Sequence, residues 1–213
     1  MARTALIVGA TGLVGSALLD RLLAAPEYTA VTVLGRRAPV ITHAKLRFVQ
    51  STFADLDSLA DPLAMDDLFC CLGTTTKAAG GNAGLERVDY TMVLAVARAA
   101  QAGGTTRFFG VSAAGSSMTA LTFYSRLKAR MERDVAAVGF KATHFFRPSL
   151  LLGARSDSRP AEAIGQAVAP LLAPLCIGPL RKYRPITAEE VADAMLKIAR
   201  SDQAGTVVHD LPL

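Results

Sequence analysis

The segment Thr4-Ala5-Leu6-Ile7-Val8-Gly9-Ala10-Thr11-Gly12-Leu13-Val14-Gly15 decides the fold. Thr4 to Val8 has strand length and carries no charge. Three glycines follow, and Leu13 to Ala25 then shows helical apolar spacing, with Pro26 just beyond. One glycine permits the tight turn, one lets backbone N–H groups approach a pyrophosphate, and one lets helix and strand pack closely. The helix N-terminus adds partial positive charge where those phosphates would lie. The segment predicts a strand–turn–helix unit that binds a dinucleotide.

Outward from this unit the pattern repeats. Val31-Leu34, Leu46-Val49, Leu68-Leu72, Phe108-Val111 and Thr143-Phe146 read as strands. Leu85-Ala100, Leu121-Val138 and Ala188-Ala199 read as helices, the last with Thr187 as N-cap. The strands are apolar almost throughout, as expected of a parallel sheet covered on both faces. The alternation predicts an α/β fold, a doubly wound parallel sheet of Rossmann type, with ligands beyond the carboxyl ends of the strands. After Gly153 the chain becomes proline-rich, and residues 154–186 are expected to form a small cap over the ligand edge.

The 213 residues suit one buried core and are too few for two ordinary domains. Cys70, Cys71 and Cys176 form neither a disulfide framework nor a metal spacing. His43, His144 and His209 are scattered, so no metal site is expected. With no signal peptide read before the first strand, the cysteine usage fits the cytoplasm. The uncharged stretch Ile164 to Leu180 is shorter than the ~20 residues a membrane span needs and contains three prolines. The net charge of +5 is spread along the chain, with no run beyond Arg36-Arg37 and Arg181-Lys182. That fits ordinary surface charge plus an anionic cofactor, not nucleic acid.

Four further positions sharpen the chemistry. Arg36 lies 21 positions after Gly15, where NAD sites place a carboxylate on the ribose 2′-hydroxyl. An acid there would repel a 2′-phosphate, whereas a guanidinium binds it in a fork. NADP(H) is therefore expected over NAD(H). Tyr124 and Lys128 are four apart, on one helical face. A free tyrosine, with a pKa of about 10, is a poor base near neutrality, and a neighbouring ammonium favours its phenolate. Ser112, at the carboxyl end of a strand, is placed to donate to a carbonyl oxygen. Ser116 and Ser117 are less well placed alternatives.

Together the loop at Gly9, Ser112, the Tyr124/Lys128 pair and Arg147-Pro148 resemble the short-chain dehydrogenase/reductase superfamily. Phe69-Cys70-Cys71-Leu72-Gly73-Thr74-Thr75, Val88-Asp89-Tyr90, Phe146-Arg147-Pro148 and Ser158-Arg159-Pro160 resemble its atypical branch, typified by the Tat-interacting protein. The resemblance implies that Gly9, Thr11, Gly12, Leu13, Val14 and Gly15 hold NADP(H), with Arg36 and Arg37 at the 2′-phosphate. It implies that Leu72, Gly73 and Thr74 line the cofactor. Lys128 would reach the nicotinamide ribose, and the chain after Arg147-Pro148 would pass near the carboxamide, with Arg147 as an anchor. Thr52, followed by Phe53, stands where many relatives place an adenine-contacting aspartate. Asp89 stands where a further asparagine is often found, and the usual proton relay is not matched.

Three functions follow, in this order. The first is an NADP(H)-dependent oxidoreductase acting on a small carbonyl or alcohol, with Ser112, Tyr124 and Lys128 as catalytic groups. The second is an NADP(H)-binding regulatory or redox-sensing module without turnover. The third, a nucleotide-sugar epimerase or dehydratase, is disfavoured by the short C-terminal region. Leu85-Ala100 and Leu121-Val138 are candidates for homodimer packing.

Overall fold

The computed structural model describes residues 2–54, 56, 63–152 and 184–212. Strand β1 (Arg3–Val8) passes through the glycine turn into α1 (Leu13–Ala24), and β2 (Tyr28–Gly35), β3 (Leu46–Gln50) and β4 (Asp67–Cys70) follow. One continuous helical stretch then comprises α2 (Asn82–Glu86), a π-helical segment (Arg87–Met92) and α3 (Val93–Ala102). The chain continues through β5 (Arg107–Val111), α4 (Phe123–Ala136), β6 (Ala142–Arg147), β7 (Leu151–Leu152), β8 (Ile186–Thr187), α5 (Ala188–Ala199) and β9 (Gly205–Asp210).

The main sheet has the order β3-β2-β1-β4-β5-β6-β9, and every ladder in it is parallel. Both faces are covered, as the unbroken apolar runs predict. Ala5 and Ile7 of β1 pack with α1 and α5 residues such as Leu18, Leu22, Val191 and Met195. Leu6 and Val8, pointing the other way, pack with Val93, Val96, Ala97 and Met131 of α3 and α4. The strand order reverses between β1 and β4, which opens the crevice where such sheets bind ligands.

Several boundaries differ from the sequence expectations. β2 begins at Tyr28 because the buried Tyr28 phenol donates to Asp67, 2.5 Å away on β4. Helix α4 starts at Phe123, since Thr122 caps it by accepting from the Ser125 amide at 3.1 Å. Thr187 caps α5 as expected and forms a full capping box with Glu190. β9 was not foreseen. Its inward residue is His209, so the apolar signal of a strand is weak there. The expected cap over 154–186 lies almost wholly outside the described residues, as does the Ile164–Leu180 stretch. Among the described residues no helix is long and apolar enough to cross a membrane.

Candidate active site

The glycine turn sits at the switch point. Gly9 has φ +79°, and a Cβ there would lie 2.5 Å from the Cys71 carbonyl carbon and oxygen. A Cβ on Gly15 would lie 2.1 Å from the Gly9 carbonyl oxygen. Both glycines are thus required by close approach, Gly9 to the chain leaving β4 and Gly15 to the turn itself. Gly12 closes the turn by donating to the Gly9 carbonyl at 3.0 Å and stands at the N-cap of α1 without a side chain. The first-turn amides at Leu13 and Val14 therefore carry no side-chain cap, which is the arrangement that receives phosphate. Thr11 and Gly12 are exposed at the surface of this loop, while Val14 and Gly15 are buried beneath it.

Arg36 and Arg37 follow the carboxyl end of β2 and are exposed. Among the described residues neither guanidinium pairs with a carboxylate. Beyond β3, Thr52 is exposed, and Phe53 takes a left-handed φ of 66° with its amide donating to the Ser51 hydroxyl at 2.9 Å. Leu72, Gly73 and Thr74 follow β4 beside the glycine turn, with Gly73 exposed and the other two half-buried.

Ser112 follows β5 directly, and Tyr124 and Lys128 lie on α4, from which Lys128 reaches the Val111 carbonyl next to Ser112. Ser112 is buried, its amide donates to the Phe146 carbonyl at 2.7 Å, and its hydroxyl lies 3.4 Å from that of Ser116. Ser116 therefore lies beside Ser112, whereas Ser117 is exposed and bonds to Thr119. Tyr124 is 38% exposed, at the mouth of the site. The Lys128 ammonium sits 5.9 Å from the Tyr124 ring centroid and donates to the Val111 carbonyl at 3.3 Å.

Lys128 is 2% exposed, and its charge is met by an equally buried carboxylate, Asp89, at 2.9 Å. Burial pulls the ammonium pKa down, but Tyr124 and Asp89 more than reverse this, and it lies above the ordinary lysine value. The other Asp89 oxygen accepts from the Thr74 amide at 2.9 Å. Asp89 belongs to the π-helical segment, and such single-turn insertions often mark functional sites. The same stripe of α4 continues to Glu132, whose carboxylate takes both arms of Arg147 at 2.8 and 2.5 Å. That pair lifts the Arg147 pKa. Arg147 is thus an anchor through its side chain, while the buried Pro148 carbonyl accepts from Ala114 at 2.9 Å.

The ion pairs of Lys128 with Asp89 and of Arg147 with Glu132 were not read from the sequence. A signal was present: Asp89 lies four residues from both Leu85 and Val93, and Glu132 four from Lys128, each a charge on an inward helical stripe.

Comparison with known proteins gives the family. The model of the NAD dependent epimerase/dehydratase family matches residues 5–211. The chain belongs to that family. It is 37% identical over 177 residues to the protein named fmp52-1, mitochondrial, of Aspergillus oryzae, covering 79% of this chain and 74% of the relative. It is 34% identical over 207 residues to FMP52, mitochondrial, of Eremothecium gossypii, covering 95% and 91%. These relatives carry the fmp52 name, not that of the Tat-interacting protein. Among solved structures, MoeE5 in complex with UDP-glucuronic acid and NAD superposes with TM-score 0.73 at 18% identity, covering 96% of this chain and 75% of that one. A UDP-N-acetylglucosamine 4-epimerase from Methanobrevibacter ruminantium gives TM-score 0.71 at 16% identity, covering 100% and 77%. These structures establish the Rossmann-type fold.

The relatives' names overturn the expectation of a cytoplasmic protein. That expectation rested on unpaired cysteines and the reading of the chain start, and neither distinguishes one reducing compartment from another.

Proposed function

We propose that the family member is an NADP(H)-dependent oxidoreductase acting on a small carbonyl or alcohol. One observation carries the reading: Ser112, Tyr124 and a buried Lys128 gather at the same sheet edge as the uncapped glycine turn. The turn suits a dinucleotide, because Gly12 at the N-cap leaves the first-turn amides of α1 without a side-chain cap. Gly9, Thr11, Gly12, Leu13, Val14 and Gly15 would hold the pyrophosphate, Leu72, Gly73 and Thr74 would line the far side, and Thr52 and Phe53 would meet the adenine. Arg36 and Arg37, exposed and without a described carboxylate partner, support a 2′-phosphate over a free hydroxyl.

When bound, the nicotinamide supplies or accepts the hydride. The Ser112 hydroxyl orients the substrate oxygen. Tyr124 gives that oxygen its proton in reduction and takes it back in oxidation. Lys128 stabilises the phenolate left behind.

Calorimetric titration tests the cofactor: NADPH should bind at least tenfold more tightly than NADH. Binding of neither would end the oxidoreductase reading. With a turned-over carbonyl in hand, Tyr124→Phe should lower kcat about a hundredfold to ten-thousandfold with NADPH affinity intact. Unchanged turnover in that variant would remove Tyr124 from the mechanism. NADPH binding that alters association with a partner, with no carbonyl turned over, would favour the regulatory module.

A further inference from the structure

The Asp89 carboxylate touches two parts of the site at once. It receives the Lys128 ammonium at 2.9 Å and the Thr74 amide at 2.9 Å. All three join different elements: the π-helical segment, α4 and the loop after β4. Asp89 is 1% exposed, so its charge is not dispersed by water. A buried carboxylate of this kind is costly unless every lone pair is used, and here both oxygens are. Structural cohesion accounts for part of that, but the partner chosen is the cation that faces Tyr124.

We propose that Asp89 is a positioning residue of the site: it fixes the Lys128 ammonium and the Thr74 amide, and cancels much of the charge Lys128 would present to Tyr124. This rests on the reading of Tyr124 as the acid–base group. An ammonium alone acts on a nearby phenol as a full charge, whereas an ion pair at 2.9 Å acts as a dipole whose influence falls off faster. Among the described residues, the charged or titratable groups that bear on Lys128 are Tyr124 on its own helix, Asp89 on the π-helical segment and Cys70 on β4. Burial holds the Cys70 thiol protonated, its pKa pushed up to about 11. β5 contributes the Val111 carbonyl. Arg126, also on α4, gives its guanidinium to the Ala120 and Leu121 carbonyls.

The phenol can be titrated directly. The protein has four tyrosines and no tryptophan. Near-ultraviolet phenolate absorbance, taken as the difference with and without Tyr124→Phe, isolates Tyr124 in each background. Asp89→Asn keeps an oxygen for the Thr74 amide and removes the charge. It should lower the Tyr124 midpoint by about one pH unit. An unmoved or raised midpoint overturns the proposal. Should that variant fail to fold, the double variant Asp89→Asn with Lys128→Met decides, since replacing both members of a buried pair is often tolerated. Its midpoint should stay within about half a unit of wild type, whereas an uncompensated lysine would make it rise by about one unit or more.

The outcome separates this role from the parent reading. Wild-type turnover that Tyr124→Phe abolishes, with an unmoved midpoint in the Asp89 variant, removes the positioning role and keeps the reductase. A lowered midpoint with no carbonyl turned over keeps the positioning role and removes the reductase.

Discussion

The two ends of the parallel sheet are built to opposite rules. At the amino end a network of charges closes on itself. Asp67 is fully buried, takes both arms of Arg107 at 2.6 and 2.5 Å, and also accepts from Tyr28 at 2.5 Å. Arg107 and Arg3 each donate in addition to the Ala199 carbonyl at the end of α5. At the carboxyl end the polar groups are held in position but left open: the amides of the glycine turn, the Arg36 and Arg37 guanidinia, and the half-exposed Tyr124. Lys128 and Arg147 are exceptions there, closed off by Asp89 and Glu132. Satisfied polar groups stabilise a fold, and unsatisfied ones at a rigid edge are available to a ligand.

Asp67→Ala breaks that contrast most severely. It strands a half-buried Arg107 and removes the Tyr28 acceptor, so it should cost about 3–5 kcal/mol by denaturant unfolding. A loss below about 1 kcal/mol would show that the amino-end network is ornamental. Arg36→Ser acts at the other end and should leave stability within about 0.5 kcal/mol, because Arg36 is exposed. Its effect is on recognition. NADPH affinity should fall about tenfold to a hundredfold, as expected for a lost charge-assisted contact, with NADH affinity nearly constant. Equal losses for both cofactors would move the 2′-phosphate away from Arg36.

The carboxyl end was far more legible in the sequence than the amino end. The glycine turn, Ser112, and Tyr124 with Lys128 stand in local patterns: a strand before three glycines, a serine at a strand end, an i,i+4 pair on a helix. The amino end is made of pairings 39 and 40 residues apart, Tyr28 to Asp67 and Asp67 to Arg107, and no local window contains both members. Asp89 lies between these cases. Its place on an inward helical stripe was readable, but its partner on another helix was not. β9 escaped for a different reason: an edge strand whose buried side chain is a histidine has little apolar period to detect.

That histidine gives the smallest effect and the one most specific to the sheet's edge. His209 on β9 and His144 on β6 share a hydrogen bond of 3.0 Å between Nε2 and Nδ1, and the other His144 nitrogen lies 3.1 Å from the Gln203 carbonyl oxygen. The rings stack with each other and with Phe109 and Phe146. Burial lowers the pKa of both below the ordinary 6.5, and for His209 the neighbouring His144 lowers it further. A lowered folded-state value means that the unfolded chain binds protons first as pH falls. The contribution of the neutral pair is therefore complete above about pH 6.5 and is lost progressively below it. Surface carboxylates held ionised by arginines, such as Glu27 and Asp193, act only at lower pH, because their ordinary values are 4.5 and 3.8. Urea midpoints taken between about pH 8 and pH 5 should accordingly fall in wild type, by the equivalent of about 1 kcal/mol. His209→Gln, whose amide can still meet His144, should flatten that slope while lowering stability throughout. A slope as steep as wild type in the variant would place the proton uptake elsewhere in the molecule.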